Sequence, residues 1–257
     1  MTGAALVLVG HGSTRHPDGA LPILALAEDI RRRRLFAEVV AVFMKQDPPL
    51  AAAETLVTAS RLVVVVPVFA GKGYYTDELI PREMRLTGRV TDRDGRRIFY
   101  TEAAGTHPRI PALLRGRAEA VAATAGFIAR ESALLLIAHG SSRPGGAGET
   151  PRAIAAALTG FREVVLVFLE QEPEAARWRD LVNCRDVVAL PLLVAQGMHA
   201  SRDIPPLFGL ENGETGPKEC HGHRVALASG LGAEPALVEV ILEMANAVLS
   251  QDAQQGL

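Results

Sequence analysis

The chain carries one pattern twice, and this repetition constrains its fold more than any other feature. Leu6-Val7-Leu8-Val9 leads into Gly10-His11-Gly12-Ser13, and 128 residues later Leu134-Leu135-Leu136-Ile137 leads into Ala138-His139-Gly140-Ser141. Val39-Val40-Ala41-Val42-Phe43-Met44, ahead of Gln46-Asp47-Pro48, returns at an offset of 125 as Val164-Val165-Leu166-Val167-Phe168-Leu169, ahead of Gln171-Glu172-Pro173. Pro67-Val68-Phe69 leads through Gly73 to Ile80-Pro81, and at an offset of 124 Pro191-Leu192-Leu193 leads through Gly197 to Ile204-Pro205. Gly105-Thr106-His107-Pro108 matches Gly232-Ala233-Glu234-Pro235. Landmarks in unchanged order, drifting by only a few residues, mark a duplication. The halves run 1–127 and 128–257, with the linker placed near Ala125 to Glu131, and each is long enough to bury a core of its own.

Within each half, short β-branched and aliphatic runs alternate with helical patterns such as Leu21 to Arg34 and Ile110 to Ala123. That alternation predicts an α/β fold with a parallel sheet in each half and helices on both faces. Gly209 to Gly222, rich in Gly and Glu, reads as a surface loop or hairpin. Apolar residues make up 48% and charged residues 22%, with a net charge of −2, which disfavours disorder and nucleic-acid binding by bulk charge. The longest apolar run, Leu62 to Ala70, is interrupted by Pro67 and is far shorter than the roughly 20 residues of a membrane span. The segment Met1 to Leu6 lacks the basic region of a signal peptide, so a cytoplasmic location is expected. Cys184 and Cys220 are the only cysteines and form no C-x-x-C pair, so reduced thiols are expected.

Ligands of open parallel sheets bind at the carboxyl ends of the strands, where both His-Gly-Ser turns must fall. In the second half His139, Glu170 and His199 follow three successive strands. Two imidazoles and a carboxylate suit iron, cobalt, nickel or zinc, and not magnesium or calcium. In the first half His11 stays, but Lys45 stands for Glu170, Tyr75 for His199 and Lys72 for Gln196. A lysine there repels a divalent cation and attracts carboxylates. Residues 1–128 hold 17 basic and 13 acidic side chains, and residues 129–257 hold 10 and 16. This asymmetry suggests a polyanionic substrate, although Arg31 to Arg34 account for much of the positive charge and read more readily as a solvated helix end. His11 reads either as an auxiliary ligand or base, or as a buried histidine holding its turn. Cys220-His221-Gly222-His223 reads as an exposed loop more readily than a metal site, since nothing nearby completes a coordination sphere. Gly71-Lys72-Gly73 lacks Walker spacing, and the histidine turns are neither nucleophile elbows nor the Arg-His-Gly of histidine phosphatases.

Together, the strand into His-Gly-Ser, the Phe168-Leu169-Glu170 strand end before an acidic-Pro pair, and Pro191-Leu192-Leu193 leading to Gly197-Met198-His199 and Asp203-Ile204-Pro205 resemble the class II tetrapyrrole chelatases. The resemblance is to the sirohydrochlorin cobaltochelatases, in the long form with two fused halves, and covers nearly the whole chain. It implies two tandem flavodoxin-like, chelatase-like domains, and insertion of a divalent metal, cobalt first and iron or nickel as alternatives, into sirohydrochlorin for cobalamin synthesis. It places the metal ligands and proton acceptors on His139 and His199, with Glu170 as ligand or proton conduit, a degenerate site around His11, and no organic cofactor. Arg15, Lys45, Lys72, Tyr75 and Arg143 are expected to contact the substrate and its acetate and propionate groups. A non-catalytic metal or tetrapyrrole carrier is the alternative. Neither nucleic acid nor membrane is an expected partner, and a monomer or weak homodimer is expected.

Overall fold

The computed structural model describes residues 3–14, 17–141, 148–194 and 203–255. The first repeat contains β1 (Ala4–Gly10), α1 (Leu21–Arg33), β2 (Glu38–Phe43), α2 (Ala53–Leu56), β3 (Leu62–Pro67), α3 (Ile80–Glu83), β4 (Val90–Arg93), β5 (Arg96–Tyr100) and α4 (Ile110–Thr124). The second contains β6 (Ala133–Ala138), α5 (Glu149–Ala157), β7 (Glu163–Phe168), β8 (Asp186–Pro191), α6 (Ile204–Leu207), β9 (Lys218–Cys220), β10 (His223–Leu227) and α7 (Leu237–Gln255). The sheets have matching orders, β2-β1-β3-β5-β4 and β7-β6-β8-β10-β9. Val7 faces Val40 and Val65, and Leu136 faces Leu166 and Leu190, all in parallel register.

The α/β expectation is met, with one addition. Each sheet ends in an antiparallel strand, β4 on β5 and β9 on β10. The two hairpins turn at Asp94-Gly95 and His221-Gly222, where both residues have positive φ, as a tight two-residue turn requires. Cys220-His221-Gly222-His223 is therefore a hairpin turn. His223 Nδ1 lies 2.8 Å from the Cys184 carbonyl oxygen, and the Cys220 thiol faces the Leu207 carbonyl.

All of β1 and β6 is buried, in apolar runs that do not alternate, because both sheet faces are covered. On one face of the first sheet Ala5, Val7, Val63, Val65 and Ile98 pack with Leu50, Ala53, Ile80 and Met84. That leaves the even-numbered Leu6, Leu8, Val64 and Val66, all fully buried, to the helices α1 and α7. Among the described residues no helix is long and apolar enough to cross a membrane.

The compact units do not follow the repeat boundary at 127/128. One unit comprises 1–107 with 235–257, and the other comprises 108–234. Helix α4, encoded in the first half, packs on β8, β10 and α5, whereas α7, encoded in the second, packs on β3 and α1. The repeats have exchanged their last helices. Polar contacts accompany each exchange: His107 Nε2 lies 3.6 Å from Glu243 on α7, and an Arg117 guanidinium nitrogen on α4 lies 3.9 Å from Glu234. An apolar stripe such as Ile110, Leu114, Ala118 and Ala122 dictates that a helix is buried but not which of two like sheets receives it.

Candidate active site

In the second unit the ends of β6 and β7 are joined beyond the last ladder pair. The N–H of Leu169 donates to the Ala138 carbonyl at 3.0 Å and that of Glu170 to the His139 carbonyl at 2.9 Å. This continuation sets the two side chains next to each other, with Glu170 Oε2 3.7 Å from His139 Nδ1. Both are open to solvent, with side-chain exposures of 43% for His139 and 48% for Glu170. Nδ1 also lies 3.2 Å from the Gly140 carbonyl oxygen. A proton on Nδ1, donated to that carbonyl with the carboxylate close by, puts the lone pair on Nε2, which is how metal-binding imidazoles are commonly oriented.

Gly140 is needed for two reasons. Its φ is +78°, and a Cβ there would sit 3.1 Å from both Gln171 Cβ and Phe168 Cβ. Gly12 is held likewise, with φ +68° and a Cβ that would lie 2.8 Å from Gln46 Cβ. Each turn is tied down by a glutamine that sequence reasoning gave no role: the N–H of Ser13 donates to Gln46 Oε1, and that of Ser141 to Gln171 Oε1, both at 3.2 Å. The available signal was the recurrence of Gln46-Asp47-Pro48 as Gln171-Glu172-Pro173.

The first unit builds the same frame with other chemistry. The Lys45 N–H donates to the His11 carbonyl at 2.8 Å, which puts the exposed Lys45 where Glu170 stands in the other repeat. Beside His11 is an aromatic cluster: its ring centroid lies 5.2 Å from that of Tyr75 and 6.4 Å from that of Phe69, both edge-on, and Tyr74 lies 5.9 Å from Tyr75. Tyr74 and Tyr75 are each 39% exposed. Tyr75 opens a single π-helical turn, Tyr75–Leu79, pinned by the Tyr100 hydroxyl, which donates to the Thr76 carbonyl at 2.6 Å. Burial pushes the Tyr100 phenol well above its ordinary range, so it stays a donor. Lys72 is 3.3 Å from Glu102, which also pairs with Arg89, so its charge is shared inside the protein. Tyr74 and Glu102 were not singled out from sequence, and Phe69 entered only as a landmark of the repeat.

His199, Arg15 and Arg143 lie outside the described residues. Among the described residues no group of three or more His, Cys, Asp or Glu side chains is placed to hold a metal, and His139 with Glu170 make a pair.

The sequence profile of the CbiX family matches residues 5–121 and again residues 133–248, once for each repeat. The chain belongs to the CbiX family. A relative in Halobacterium salinarum, named "Probable sirohydrochlorin cobaltochelatase", is 31% identical over 265 residues, covering 94% of this chain and 90% of the relative. The sirohydrochlorin cobaltochelatase of Methanocaldococcus jannaschii is 38% identical over 85 residues, 32% of this chain and 59% of that protein. Among solved structures, a multi-domain Deinococcus radiodurans protein described as similar to chelatases superposes with a TM-score of 0.78 at 28% identity, over 95% of this chain and 54% of that longer one. SirB from Bacillus subtilis with Fe3+ shares the fold at a TM-score of 0.72 and 20% identity, covering 98% of both chains. The chain is thus a member of a family of metal-chelatase enzymes with an internal CbiX repeat.

Proposed function

We propose that this CbiX protein is a sirohydrochlorin chelatase that inserts a divalent metal, cobalt in the first instance, into the macrocycle on the route to cobalamin. The observation that carries the reading is the half-exposed His139 and Glu170 pair at a parallel strand end, in a chain that matches a cobaltochelatase relative over 90% of that relative's length. In this reading His139 and His199 ligate the incoming ion and accept the two pyrrole protons, and Glu170 acts as ligand or proton conduit. Metallation has to strip water from the cation, deprotonate the pyrroles and admit the metal to a ring pulled out of plane. That calls for ligands which hold the ion weakly and also serve as bases, and imidazole does both near neutral pH.

Arg143, Arg15 and Lys45 are assigned to the acetate and propionate groups of the substrate, with Lys72 in the same role despite its contact with Glu102. The exposed faces of Tyr74 and Tyr75 supply a surface on which a planar macrocycle can stack, with His11 packed behind as part of the wall. The metal is a substrate, and the reaction needs no organic cofactor.

The test is an absorbance assay of the purified protein with sirohydrochlorin and separate cobalt, iron and nickel salts. Insertion above the spontaneous rate with cobalt supports the reading. Faster insertion of iron or nickel reassigns the metal, and a spectral shift without turnover makes the protein a carrier. His139→Ala is expected to lower kcat/KM for cobalt insertion by at least about 100-fold, as removal of a group acting as ligand and base does. An unchanged thermal melt has to accompany that loss, and undiminished activity would remove His139 from the mechanism.

A further inference from the structure

The two repeats also diverge on the sheet face opposite the exchanged helices. In the second unit, Trp178 is 1% exposed, its ring centroid 5.3 Å from Phe208 and 5.1 Å from His223, and its indole N–H donates to the Leu207 carbonyl at 3.2 Å. The first unit repeats several of the surrounding hydrogen bonds. The N–H of Val57 donates to the Ala53 carbonyl as that of Val182 does to Trp178, and Glu38 accepts from Thr58 as Glu163 accepts from Asn183. The N–H of Leu86 donates to the Pro81 carbonyl as that of Leu210 does to Pro205, and the Asp94-Gly95 turn matches His221-Gly222. By this correspondence Ala53 occupies the place of Trp178, Met84 that of Phe208 and Arg96 that of His223. Leu50, in the place of Ala175, restores only part of the lost bulk. A cavity of about 300 Å³ is left, floored by Val63, Val65 and Ile98, walled by Ala53 and Met84, with Arg96 at its mouth.

We propose that the first unit binds a small, planar, uncharged aromatic molecule of indole size in this cavity. The matching space in the other repeat is filled by an indole, so the backbone around it is already shaped to such a ring. The floor is apolar, whereas Glu54, Glu83 and Asp94 join the arginines to make the rim charged, and the volume sits at the lower end of small-molecule pockets. The arginines at the mouth are engaged: Arg93 with Glu54 and with the carbonyls of Met84 and Arg85, and Arg96 with the carbonyls of Glu54 and Val57. They offer flat guanidinium faces on which a ring can stack, rather than an unmatched charge that would select a carboxylate. Val63 and Arg96 stand at the amino-terminal ends of β3 and β5, at the opposite end of the strands from His11, so this site is separate from the one described above.

Indole is the probe. Calorimetric titration of the whole protein is expected to show saturable binding, and the melting temperature to rise by about 3–5 °C for every tenfold excess of indole over its Kd. Ala53→Trp is expected to abolish binding and to raise the melting temperature of the protein without indole. Independently of that variant's folding, crystals of the natural protein grown with 5-bromoindole should give an anomalous bromine peak among Ala53, Met84 and Arg96. The proposal is overturned by no saturable heat up to the solubility limit of indole, by undiminished binding in a folded Ala53→Trp protein, or by bromine located elsewhere.

Discussion

At the foot of β2 the Glu38 carboxylate accepts hydrogen bonds from the backbone N–H groups of Thr58 at 2.6 Å, Ser60 at 2.9 Å and Ala59 at 3.2 Å, and Glu163 caps Asn183 and Cys184 in the same way. Burial by itself pushes the Glu38 carboxyl up, but the nearby Ser60 hydroxyl and these N–H donors outweigh it and hold the group at about 2. A carboxyl lowered on folding stabilises the folded state fully above its unfolded value, near 4.3, and loses that contribution as the pH falls toward the folded value. Glu38→Gln is therefore expected to cost about 1–2 kcal/mol at pH 7, in the range of charge-assisted hydrogen bonds at a partly exposed site, with the difference shrinking as pH drops from 4.3 toward 2. Thermal melts of both proteins across that window check it. A difference that stays constant with pH would show that the charge is not what Glu38 contributes.

Among the elements, the closest approaches occur where the loops after β3 and β8 pass over the short 3₁₀ turns Ala104–Thr106 and Leu231–Ala233. The Gly105 N–H donates to the Phe69 carbonyl at 2.8 Å, and that of Gly232 to the Leu193 carbonyl at 3.2 Å. A Cβ would fall 2.2 Å from the Ala70 oxygen in the first case and 1.8 Å from the Val194 oxygen in the second. Both partners are backbone and cannot rotate away. Gly116, inside α4, is the contrasting case, because a Cβ there meets nothing within 4 Å. Gly232→Ala should therefore destabilise by about 1–3 kcal/mol through overpacking, whereas Gly116→Ala should stabilise by up to about 1 kcal/mol through helix propensity. Denaturant melts read both, and a neutral Gly232→Ala would mean that the loop after β8 can yield.

For the whole molecule, the exchanged helices set which parts fall together. On α7 the side chains of Leu237, Val238, Val240, Ile241 and Ala245 are at most 1% exposed, and the helix contacts β3 and α1. Burial of that many apolar groups contributes on the order of 10 kcal/mol before entropy is counted, comparable to the whole stability of a domain. A chain ending at Glu234 is expected to lose hydrogen-exchange protection in β1 and β3, more than 100 positions away in sequence, while β6 and β8 keep theirs. Loss of protection confined to β6 and β8 would restore the division at 127/128.

The sequence by itself determined the duplication, the parallel order of apolar runs, the strand-end positions of His11 and His139, and the exchange of Glu170 for Lys45, because each is a property of chain order and local periodicity. It also carried the family, since the His-Gly-Ser turn and its Gln-acidic-Pro partner are short, contiguous motifs. The tertiary structure alone decided the rest. Gln46 and Gln171 acquire a role only when a neighbouring strand end is brought within hydrogen-bonding distance, and His11 joins an aromatic cluster because Phe69 and Tyr75, far along the chain, fold over it. Cys220 to His223 resembles a ligand set in one dimension and is a two-residue hairpin turn in three. The helix exchange was illegible for the same reason: an amphipathic stripe records that a face must be buried, and two sheets of one ancestry offer it equivalent grooves. The space left by Ala53 likewise becomes visible only when its position in one fold is compared with that of Trp178 in the other.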